Sequence, residues 1–131
     1  MKIDGRKFQE RVDGILKYNK VRGWCQKPED LSKSIVLESA ELLEHFQWDA
    51  SDKRLKSKKK PKNMEEIGYE VADIFWYLIL FCQEMKIDLV EALEMKMKYN
   101  EEKYPESMFN GKHNARFYHA QKKKYRTAKE K

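Results

Sequence analysis

Apolar residues Phe8, Val12, Ile15 and Leu16 recur at helical spacing and predict a first helix over about 6–21, ending near Gly23. "QKPED" follows as a connector, and Pro28 with Asp30 or Ser32 suits the start of a second helix running to about Trp48. A lysine-rich stretch around Pro61 then reads as a loop. Asn63 followed by Glu66 has the N-cap and N3 spacing of a capping box, which predicts a third helix reaching about Lys86. Asp88 with Glu91 repeats that spacing and opens a fourth helix, which ends before Pro105. Beyond it "YPESMFNGKHN" reads as a loop, and the pattern leaves the order of the C-terminal segment open. Four main helices joined by short links predict an all-α fold, a four-helix bundle. No repeat of solenoid period is visible.

Composition supports this picture. The 131 residues suit one domain with a real core, and 38% charged and 40% hydrophobic residues with only 5 Gly and 3 Pro favour helix throughout. The longest unbroken apolar run, Ile74 to Cys82, is nine residues, far short of a membrane span, and "MKIDGRKFQE" contains no apolar leader core. These features predict no membrane association and a cytoplasmic location. Cys25 and Cys82 lack paired metal-binding spacing and read as reduced thiols, with Cys82 expected in the core. The net charge of +6 is unevenly placed: residues 53–62, "KRLKSKKKPK", hold seven basic side chains, and residues 122–131 hold six basic and one acidic. Outside those two segments 15 basic residues face 21 acidic ones, so the body of the chain is acidic.

The acids within the helices change the picture most. Glu38 and Glu41 are three apart, as are Glu70 and Asp73, so each pair shares one helix face. Both pairs sit inside apolar sequence, "SIVLESAELL" and "GYEVADIFWYLIL". An unpaired buried carboxylate costs several kcal/mol or takes up a proton, so four converging acids need compensation. A divalent cation supplies it, and a donor set of oxygens alone selects a hard ion, Mg²⁺ or in its place Mn²⁺. The bland alternative is a solvated stripe of acids with the second pair matched to lysines. A di-iron bundle would need a Glu-x-x-His step on two helices; His45 directly follows Glu44, and nothing comparable stands on the third helix.

With "ESAE" at 38–41 and "EVAD" at 70–73, the chain resembles the MazG-like, all-α nucleoside triphosphate pyrophosphohydrolases, in particular the short single-domain branch of the dCTP pyrophosphatases. The flanks "KPEDLSKSIVLESAELLEHFQW" and "KMKYNEEKYP" resemble that branch too, and the likeness spans about Val21 to Pro105. The resemblance implies Mg²⁺-dependent hydrolysis of a nucleoside triphosphate, a dNTP foremost, to the monophosphate and pyrophosphate. It makes Glu38, Glu41, Glu70 and Asp73 the metal ligands and catalytic acids, places Trp24 and Trp48 at the nucleobase, completes the pocket with Tyr77 and Asn100, and offers Lys96 to the phosphates. Trp76 is assigned to packing.

The resemblance further implies a homodimer or homotetramer, in keeping with "IFWYLILFC", which is apolar on every side of its helix. On this reading residues 1–110 form the pyrophosphohydrolase domain, with the lysine-rich loop at 53–62, and 111–131 form a basic C-terminal extension. Loop and tail go beyond the family pattern. They read either as solvated charge or as attractors of polyphosphate, with nucleic acid an unfavoured partner. The rival function is a basic nucleic-acid- or partner-binding helical module whose acids are structural.

Overall fold

Asp4 opens the first helix, α1 (Gly5–Val21): its carboxylate accepts from the backbone N–H of Arg6 and Lys7 at 3.1 and 3.3 Å, satisfying two donors that a helix start leaves free. The helix stops at Gly23, whose φ of +63° suits glycine, and whose N–H donates to the Lys20 carbonyl. The structure, a computed structural model, describes residues 1–47, 63–111 and 114–129. Trp48 and the lysine-rich segment 53–62 therefore lie outside the described residues.

Helix α2 (Pro28–Gln47) starts on Pro28, whose missing N–H costs nothing in a first turn, with Glu29 and Asp30 favourably placed toward the positive end of the helix dipole. Helix α3 (Met64–Met85) begins where the sequence predicts, yet the capping box does not form: Asn63 stands at the N-cap position with no side-chain cap. Its amide is spent elsewhere, on His45 of α2. At the other end Lys86 closes α3 in the left-handed region, φ 55°, with its N–H directed to Gln83 and the Ile87 N–H donating to Cys82 at 2.9 Å.

The chain forms two compact units, Met1–Ile87 and Asp88–Lys131. In the first, α2 and α3 pack along each other and α1 lies against α3, Phe8 meeting Phe75 with ring centroids 5.3 Å apart. The core of this unit is Ile15, Leu31, Ile67, Ile79, Leu80 and Cys82, with Leu31 wholly enclosed. Buried Asn19 is satisfied by donating its side-chain N–H to the Ile15 carbonyl at 3.1 Å.

In the second unit Asp88 caps α4 (Leu89–Lys103), accepting from the N–H of Val90 and Glu91 at 2.9 and 3.0 Å, as its sequence position predicts. The C-terminal segment, whose order the pattern leaves open, is a fifth helix, α5 (Ala115–Lys129), started by Asn114 accepting from Phe117 N–H. Gln121 and Tyr125 of α5 donate to the Lys103 and Glu102 carbonyls, two of the acceptors that the end of α4 leaves open. Tyr104 then sits between Phe109 and Tyr118, at centroid distances of 5.1 and 5.4 Å. Among the described residues every regular element is a helix.

Candidate active site

The three-residue step between Glu38 and Glu41 puts both carboxylates on one face of α2, and the packing of α2 along α3 brings Glu70 opposite them. One carboxylate oxygen from each of Glu38, Glu41 and Glu70 lies within 4.8 Å of the other two. Glu38 and Glu70 are half-buried and Glu41 is exposed. Asp73 stands outside this trio but close enough to be felt by it: the Glu38 carboxyl is raised above the ordinary range by its burial first, then by the charges of Glu41, Asp73 and Glu70. Like charges held together, all offering oxygen, suit a hard divalent cation, and the residues present fit one.

Asp73 also faces a cavity of about 240 Å³, lined further by Tyr18, Trp24, Trp76 and Tyr77. Tyr18 is the hinge of this aromatic wall, edge-on to both Trp24 and Trp76 at 5.9 and 5.2 Å, with the Arg22 guanidinium 3.3 Å over its ring. Burial, then the charges of Glu38 and Asp73, push the Tyr77 hydroxyl up, keeping it a hydrogen-bond donor. The wall therefore offers apolar ring faces with a carboxylate and a phenol at one side, which is chemistry for a flat heterocycle carrying polar edges.

The structure thus gathers Glu38, Glu41 and Glu70 and sets Asp73, Trp24 and Tyr77 beside them. Trp48 is outside the described residues. Lys96 and Asn100 belong to α4 in the second unit, where the Lys96 ammonium lies 4.7 Å from the Tyr99 ring centre. Trp76, assigned to packing, also lines the cavity. Its place follows from α1, which brings Tyr18 across α3 to meet it.

Tyr18 and Arg22 were not legible as site residues, though their separation of four does mark them as neighbours on α1. Nor was the part played by His45, one turn after Glu41. Its Nε2 is 3.7 Å from Glu70 Oε1, and its Nδ1 is hydrogen-bonded by the Asn63 amide.

Comparison with known proteins identifies relatives of this chain. The model of the MazG-like family matches residues 33–115. The dCTP pyrophosphatase 1 of Bos taurus is 30% identical over 92 residues, covering 69% of this chain and 54% of that protein; the Homo sapiens protein of the same name is 30% identical over 86 residues. The chain spans about half the length of these curated relatives. A crystal structure of a pyrophosphatase from Archaeoglobus fulgidus superposes with a TM-score of 0.66 at 34% identity, covering 80% of this chain and 98% of that one. With its acid pairs inside the matched segment and its helical fold shared with that structure, the chain belongs to the MazG-like family.

Proposed function

We propose that this protein hydrolyses nucleoside triphosphates, dNTPs foremost, to the monophosphate and pyrophosphate with Mg²⁺, for which Mn²⁺ can substitute. The observation that carries the reading is the convergence of Glu38, Glu41 and Glu70 within 4.8 Å, next to a cavity walled by aromatic rings. Glu38, Glu41, Glu70 and Asp73 hold the cation in this reading. When bound, the cation neutralises charge on the phosphates and on the departing pyrophosphate. A carboxylate oxygen left free by it takes a proton from the attacking water. The water oxygen bonds to the α-phosphorus, the bond from that phosphorus to the bridging α,β oxygen breaks, and pyrophosphate leaves with the electron pair.

The base is held by stacking against Trp24 and Trp76, with Tyr18 supporting both rings, while Tyr77 and Asp73 offer a donor and an acceptor to its polar edge. The roles proposed for Trp48 at the base, Lys96 at the phosphates and Asn100 in the pocket rest on the family resemblance. The same resemblance supports a homodimer or homotetramer. So do Val36, Leu37 and Leu43 of α2, which are 66%, 61% and 59% exposed in the single chain.

The test incubates the purified protein with a panel of NTPs and dNTPs in Mg²⁺ or in EDTA and resolves the products by ion exchange. Monophosphate and pyrophosphate, lost in EDTA, are expected. Diphosphate and phosphate, or no turnover of any nucleotide, overturns the proposal.

A further inference from the structure

Asn63 occupies the N-cap of α3, a position where an asparagine side chain ordinarily satisfies the free N–H groups of the first turn and contributes about 1 kcal/mol. Here it makes no such cap. Its Nδ2 is instead directed to Nδ1 of His45 on α2. An amide nitrogen can only donate, so Nδ1 is the acceptor, and the proton of the imidazole is on Nε2. That Nε2 faces Glu70 Oε1 at 3.7 Å, and both side chains are mostly enclosed, at 16% and 19% exposure. Asn63, His45 and Glu70 are therefore linked in series: Asn63 fixes the ring, and the ring's Nε2 stands 3.7 Å from one oxygen of a carboxylate whose partner acids are Glu38 and Glu41. His45 offers no atom within the 4.8 Å group itself. Its action on the acids runs through Glu70.

We infer that His45, oriented by Asn63, is a positioning residue that holds Glu70 for the cation, an inference that rests on the metal reading above. A ring edge packed 3.7 Å from one carboxylate oxygen narrows the rotation open to that carboxylate and leaves the other oxygen for the ion. Groups behind a ligand that act this way typically contribute 10- to 100-fold to metal affinity when they are removed one at a time. A forgone helix cap is the cost of this arrangement, and it is hard to account for if the ring only fills space.

The test uses the full chain stripped of metal and titrated with Mn²⁺, with free Mn²⁺ read by electron paramagnetic resonance and folding by far-ultraviolet circular dichroism. H45A is expected to bind Mn²⁺ about 10-fold more weakly than the parent protein. H45Q places an amide N–H at nearly the reach of Nε2 and is expected to recover affinity to within about threefold of the parent. N63S keeps a good N-cap residue but is too short to hold the ring, and is expected to lose roughly three- to tenfold. Should H45A not fold, H45Q and N63S decide the matter between them. Unchanged Mn²⁺ affinity in N63S and H45A, or an H45Q as weak as H45A, overturns the inference and leaves the ring a packing element. If the parent protein binds no Mn²⁺ that E41Q abolishes, the metal reading itself fails, and the positioning role falls with it.

Discussion

Glu41 is the one exposed member of the clustered carboxylates, so it can be neutralised without opening the core. Glu41→Gln is expected to lower nucleotide hydrolysis on the order of 10²- to 10³-fold while the circular dichroism spectrum stays that of the parent. A variant with full activity would remove Glu41 from the site. The thiols give a second check at this scale. Cys25 is exposed, whereas burial pushes the Cys82 thiol up and encloses it between helices. Ellman's reagent should therefore titrate one thiol at once and the second only in denaturant. The acid pairs were readable in the sequence because a spacing of three is a local property of a helix. Tyr18, Trp76 and His45 were not, because each owes its role to a residue on another helix: Tyr18 to Trp76, His45 to Asn63 and Glu70.

Element boundaries follow from side chains that act on their own backbone. Asp4 and Asp88 cap α1 and α4, and Pro28 starts α2. Asn63 carries the same local signal, and the start of α3 is legible from it, but the cap itself is lost to a partner 18 residues away, a competition that no local pattern records. The order of α5 was equally out of reach, since its anchoring comes from Gln121 and Tyr125 donating to the end of α4. The C-terminus of α3 offers a stability test. Lys86 sits at φ 55°, where an L side chain is strained, and glycine there would relieve it at some cost in unfolded-chain entropy. Lys86→Gly should stabilise the protein by about 0.5–1 kcal/mol in urea denaturation, and a loss of stability would show that the lysine side chain contributes contacts of its own.

For the molecule as a whole, the enclosed apolar set among the described residues is short, and α2 leaves Val36, Leu37, Leu43 and Phe46 exposed in the single chain. Sedimentation equilibrium should give a mass of two or four times 15.8 kDa. V36E and L37E together should lower it, and a parent protein already at the single-chain mass would end the oligomer proposal. The acid trio has a thermodynamic consequence as well. Its carboxylates stand together through the packing of α2 on α3, so the unfolded chain has no comparable site, and any cation that binds there is a ligand of the native state alone. Such a ligand raises the free energy of unfolding by about 2.7 kcal/mol at a hundred times its dissociation constant. The melting temperature then serves as a gauge of the cation, ranking Mg²⁺, Mn²⁺ and Ca²⁺ with no nucleotide present, and a protein whose melting is indifferent to all three has no use for its crowded acids.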